Sequence, residues 1–84
     1  MSPWYVYTYI LKGKDGFFYC GIAKNITVRL QQHNKGFSRS TNKHRPLTIQ
    51  FIHESETRKE AHALELIIKN QGVKRWYRKH VSVI

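Results

Sequence analysis

Trp4-Tyr-Val-Tyr-Thr-Tyr-Ile-Leu11, then Lys12-Gly-Lys-Asp-Gly16, then Phe17-Phe-Tyr-Cys-Gly-Ile22, is the stretch whose reading decides the fold. The first segment is rich in aromatic and β-branched residues, the composition of a strand. Side chains alternate across a strand, so Tyr5, Tyr7, Tyr9 and Leu11 share one face and Val6, Thr8 and Ile10 the other. Gly13 to Gly16 has turn chemistry, and Phe17 to Ile22 is the return strand of a hairpin. A three-residue loop, Gly13–Asp15, would set Tyr9 opposite Tyr19 with both side chains on one face.

Downstream of the hairpin, Asn25 is a natural N-cap for an amphipathic helix reaching Lys35 and stopped by Gly36. Phe37 to Pro46 is a basic, polar loop. Leu47 to His53 alternates as a third strand. Thr57-Arg-Lys-Glu60 has capping-box spacing and opens a helix to about Asn70, before Gly72. A short basic helix over Lys74 to His80 completes the order ββαβαα. The expected class is α+β, a small antiparallel-rich sheet flanked by helices, with residues 1–84 as one domain.

Charge is the strongest compositional signal. Fifteen Lys and Arg against five acids give a formal net charge of +10 in 84 residues. So strong a field suits a polyanion, and nucleic acid is the commonest one. A membrane surface, or charge serving solubility alone, are the other readings. No apolar run is long enough to span a bilayer. Met1-Ser-Pro-Trp4 leads straight into the patterned segment without signal-peptide architecture. The lone Cys20 permits no internal disulfide, which suits a reducing compartment: cytoplasm, or nucleus in a eukaryotic or viral setting.

Two charged residues stand where packing alone would not put them. Ile26, Arg29, Leu30 and His33 share a face of the first helix, and Ala61, Leu64, Glu65 and Ile68 a face of the second. A carboxylate in an apolar stripe needs a cation. Glu65 therefore either pairs with Arg29, joining the helices, or holds Mg²⁺, which often takes one or two carboxylates and completes its shell with waters and phosphates. Five tyrosines in a short chain are usually packing residues. The histidines and the one cysteine lack zinc spacing, no glycine-rich loop cradles a phosphate, and no acid stands ready to orient a hydrolase triad.

Taken in order, Tyr7-Thr-Tyr-Ile-Leu11, Phe18-Tyr-Cys-Gly-Ile22, Arg29-Leu30 and His33-Asn34 resemble the GIY-YIG nuclease domain. The two signature tripeptides stand as Tyr7-Thr8-Tyr9 and Tyr19-Cys20-Gly21. The similarity runs from Tyr5 to about Lys69 and is nearest to small stand-alone members and to the catalytic domain of structure-specific junction resolvases of DNA repair and recombination. It implies a divalent cofactor, Mg²⁺ or Mn²⁺, held by Glu65. It further implies that Tyr9 helps to generate the nucleophile and that Tyr19 orients the scissile phosphate or a water. Arg29 would neutralise developing phosphoryl charge, and His33 would be a general base or a phosphate contact. Tyr7 and Thr8 replace the family's glycine and isoleucine, and Cys20 its second isoleucine; none of these removes a catalytic group.

The expected partner is DNA. Arg39, Ser40, Thr41, Lys43, His44 and Arg45 of the loop, with Lys74, Arg75, Arg78 and Lys79 near the C-terminus, are the expected phosphate contacts. Such contacts position without reading bases, so selection would fall to DNA shape or to a targeting or regulatory protein. Two rivals remain: a non-catalytic nucleic-acid-binding module, and a small RNA- or ribosome-associated protein whose aromatics stack on bases.

Overall fold

Strand β1, Val6–Gly13, is buried along almost its whole length, as only the central strand of a covered sheet can be. The computed structural model describes residues 3–82, so Met1 and Ser2 of the expected direct start lie outside the described residues. β2 is Phe18–Ala23 and β3 is Leu47–Ser55. Together with β1 they form an antiparallel sheet of order β2-β1-β3. Helices α1 (Ile26–Asn34), α2 (Arg58–Gln71) and α3 (Val73–His80) complete the ββαβαα order expected from the sequence.

The sheet separates two clusters. Tyr7, Tyr9 and Leu11 pack with Ala23, Ile26 and Leu47 on the α1 side. Ile10 and Cys20 pack with Ile68 and Trp76 on the side of α2 and α3. Thr8 also points to the second side, where its hydroxyl donates to the Ala61 carbonyl at 3.0 Å. That bond explains how a polar residue stands wholly buried in a central strand.

The hairpin register departs from the expectation. Tyr9 lies opposite Gly21, and Tyr19 opposite Leu11. The loop is Lys14–Gly16: the Gly13 amide donates to the Phe17 carbonyl at 2.7 Å, and Gly16 turns at φ 89°. A left-handed residue closing a three-residue loop is the usual solution, and glycine adopts it without strain. Moving the loop on by one residue shifts the pairing by two, which keeps every side chain on its face. Tyr9 and Tyr19 are therefore diagonal neighbours instead of a direct pair.

Helix boundaries follow local chemistry. The Asn25 side chain accepts the Val28 amide at 3.1 Å, and Thr57 accepts that of Glu60 at 3.1 Å. Gly36 and Gly72, both at positive φ, lie just past the ends of α1 and α2. At the end of α1, Asn34 donates to the Leu47 carbonyl at 3.0 Å and accepts its amide at 2.7 Å. This clasp fixes both ends of the basic loop between them.

Candidate active site

Tyr9 projects from the middle of β1 and is 1% exposed. Its ring lies over Gly21: a Cβ there would fall 2.5 Å from the hydroxyl and 2.7 Å from Cζ. Only glycine leaves room for the tyrosine at this cross-strand position. The hydroxyl is 3.0 Å from Nε2 of His33, which α1 presents at its seventh position beyond the buried Ile26. On the other side of the imidazole, Nδ1 is 2.8 Å from the hydroxyl of Thr41. His33 is 2% exposed and Thr41 entirely buried, so the chain Tyr9–His33–Thr41 runs in the interior.

Tyr19 and Arg29 border this chain. The Tyr19 ring centroid stands 6.4 Å from that of Tyr9 and 5.2 Å from that of His33. Tyr19, Arg29, Gln32, His33, Phe37 and Ser38 line an open cavity of about 240 Å³. Burial, then the neighbouring Tyr19, pushes the Tyr9 phenol well above its ordinary range, and the Arg29 guanidinium beside it pulls the other way. Burial, then the Arg29 charge, lowers the His33 imidazole below its ordinary value. At neutral pH the site holds a neutral phenol against a neutral imidazole.

Glu65 stands on α2 and is not among the residues lining that cavity. Its side chain is 12% exposed, with Lys69 Nζ 3.0 Å from Oε2 and His62 Nδ1 3.1 Å from Oε1. The Lys69 ammonium in turn stands 5.8 Å from the Tyr19 ring centroid. An Arg29–Glu65 pair joining the helices, one of the two expected readings, is not what forms: the ion pair of Glu65 with Lys69 and its hydrogen bond with His62 both run within α2. Among the described residues no three His, Cys, Asp or Glu gather as a ligand set. A lone carboxylate does not fit a zinc centre, but it fits a hydrated Mg²⁺ or Mn²⁺ whose shell is completed by water and phosphate.

A model of the GIY-YIG catalytic domain matches residues 4–81. The chain belongs to the GIY-YIG family. A UPF0213 protein of Staphylococcus aureus strain Mu3 is 36% identical over 64 residues, covering 75% of this chain and 78% of that one. UPF0213 proteins of strains N315 and COL match with the same identity and coverage. No solved structure matches the chain. Membership makes this a domain of a nuclease family that acts on DNA and generally depends on a divalent metal.

The expected phosphate contacts of this GIY-YIG domain divide. Arg39, Ser40 and Lys43 are exposed on the loop. Thr41 is not a surface donor as expected, because its hydroxyl is turned inward to His33. His44 is held by Asp15, Nδ1 to Oδ2 at 2.6 Å, and stacks on Phe17 at 3.8 Å. That hydrogen bond lowers the Asp15 carboxyl below its usual range. Arg45 is exposed, yet its Nε donates to the Asn42 carbonyl at 2.8 Å and its guanidinium packs over Gly36. Lys74, Arg75, Arg78 and Lys79 line a broad depression on α3. Trp76 of the same helix packs on the sheet face opposite Tyr9, so the structure does not bring this basic helix to the tyrosines.

Sequence reasoning missed Gln32, Phe37 and Lys69 beside the site, and the role of Thr41 as a partner of His33. Lys69 had a signal, since it follows Glu65 at the helical i, i+4 spacing. Thr41 had none, because an irregular loop carries no period.

Proposed function

We propose that this domain is a metal-dependent endonuclease that hydrolyses DNA phosphodiester bonds, selecting DNA by shape (branched, flapped or nicked) more than by sequence. The observation that carries the reading is the buried Tyr9–His33 hydrogen bond, whose imidazole lines the cavity beside Tyr19 and Arg29. Attack by water requires a group that accepts its proton as the oxygen bonds to phosphorus. Tyr9 does not supply a preformed phenolate, because burial keeps its proton on at neutral pH. Instead its oxygen takes the proton of the water while its own proton passes to Nε2 of His33, which is neutral and able to accept it. The bond from phosphorus to the leaving sugar oxygen breaks, and that oxygen takes a proton from solvent.

Arg29, exposed at the cavity, would balance charge gathering on the phosphoryl oxygens, and Tyr19 would orient the phosphate. Glu65 would hold the divalent ion, which supplies Lewis-acid stabilisation when bound. Its carboxylate is flanked by Lys69 and His62, and these two side chains would yield space to the ion. Exposed Arg39, Lys43, Lys74, Arg75, Arg78 and Lys79 would attract the phosphate backbone, giving affinity that falls steeply with salt. Such contacts carry no base code, which supports selection by shape or by a targeting protein.

A nicking assay with Mg²⁺ or Mn²⁺ on branched and linear DNA, wild type beside Glu65→Ala, tests the reading. Cleavage lost with DNA binding retained is expected for the variant. Equal activity in the two proteins, or no cleavage with either metal, overturns the proposal and favours a non-catalytic binding module.

A further inference from the structure

The order of donors and acceptors around His33 carries more than its distances. The charge of Arg29 is close enough to act on Tyr9, and a guanidinium only donates. The Tyr9 hydroxyl is 1% exposed, and the acceptor within its reach is Nε2 of His33, 3.0 Å away. A neutral imidazole whose Nε2 accepts carries its proton on Nδ1. That proton meets the Thr41 hydroxyl oxygen, 2.8 Å away.

Thr41 is well placed to hold this role. Its amide donates to the Ser38 carbonyl at 3.3 Å, and its own carbonyl accepts the His44 amide at 2.9 Å. The short 3-10 turn that follows, Asn42–His44, is tied to the β-hairpin through His44 and Asp15. The backbone beneath the hydroxyl is thus anchored at several points, and the side chain is wholly buried. Among the described residues no buried side-chain nitrogen or oxygen lacks a hydrogen-bond partner.

We propose that Thr41 is a positioning residue: its hydroxyl oxygen accepts the Nδ1–H of His33 and fixes the neutral tautomer whose Nε2 lone pair faces Tyr9. The proton route from Tyr9 to His33 then depends on a loop residue that touches neither metal nor substrate. In the opposite tautomer Nε2–H would donate to the Tyr9 oxygen, and His33 could accept nothing from it. The catalytic consequence rests on the nuclease reading above; the tautomer does not.

Long-range ¹H–¹⁵N correlation of the His33 ring in the DNA-free protein decides the first point, and needs no variant. Nδ1–H is expected in the wild type, and Nε2–H overturns the proposal. Thr41→Val, nearly isosteric but without an acceptor, is expected to shift the ring toward Nε2–H and to lower kcat about 10²-fold, with KM little changed. Thr41→Ser is expected to rescue both tautomer and rate. A Thr41→Val protein that keeps Nδ1–H and full kcat also overturns the proposal. If the wild type shows Nδ1–H, the valine variant loses it, and neither cleaves DNA, the nuclease reading fails while the assignment of Thr41 stands.

Discussion

The two faces of β1 are about equally buried and do opposite things. On the α2 and α3 side, Ile10 and Ile68 are fully buried and Cys20 is 1% exposed, meeting only packing partners. The thiol of Cys20 is pushed up to about 12, by burial first and the Glu65 charge second, so it stays protonated and behaves as a small apolar group. One residue away on the α1 side, Tyr9 is buried just as deeply, but its hydroxyl continues into His33 and Thr41. Burial is therefore no guide to which face is inert. What separates them is where the hydrogen bonds lead. The Thr8 hydroxyl on one face ends on the Ala61 carbonyl. The Tyr9 hydroxyl on the other continues through two further side chains, and an interior of low dielectric strengthens such a line.

The contrast can be broken from either side. On the polar face, Tyr9→Phe removes one hydroxyl and is expected to reduce single-turnover cleavage by about 10²- to 10⁴-fold. The loss of stability in the same variant should be only about 1–3 kcal/mol, from the His33 nitrogen left without its donor. On the apolar face the pattern reverses. Ile68→Ala should lower the unfolding free energy by about 2–5 kcal/mol in urea titrations, while the folded fraction cleaves at the normal rate.

Gly21→Ala tests the boundary between packing and chemistry. The added methyl meets the Tyr9 hydroxyl, so a stability loss of about 1–3 kcal/mol is expected, together with displacement of the ring from His33. A stable variant with unchanged cleavage would show that the cradle is dispensable.

The smallest expected effect is on pH. His33 is lowered in the folded protein, so on acidification the unfolded chain takes up a proton there before the folded one. Its contribution to stability is complete above the ordinary histidine range and declines as the pH falls through that range toward the lower folded value. Cleavage should show an acid limb at the folded value, below the ordinary 6.5. His33→Gln should remove both effects; an acid limb unchanged in that variant would assign it to another group.

Much of this was legible in residues 4–22 and in the helix caps. The period of two in β1 separated Tyr9 from Ile10, and Asn25, Thr57, Gly36 and Gly72 stand at or beside the helix ends where expected. Even the misjudged register kept the tyrosines on one side, because a shift of two preserves a period of two. The partners of Glu65 were less legible. Periodicity put it in a stripe beside Ile68, but Lys69, one turn further on, was nearer to hand than Arg29 on a separate helix.

The sequence by itself determined the class of fold, the face on which Tyr9, Tyr19 and His33 stand, and the charge that favours a polyanion, because these depend on local propensity, on spacing within one element and on composition. The tertiary structure alone decided that the basic loop sends Thr41 inward to His33, that His44 is engaged by Asp15, and that α3 carries its cations on the far side of the sheet from Tyr9. Each of those is a meeting of residues from separate elements, set by how helices and loop close over the sheet, and no periodicity within a single segment records it.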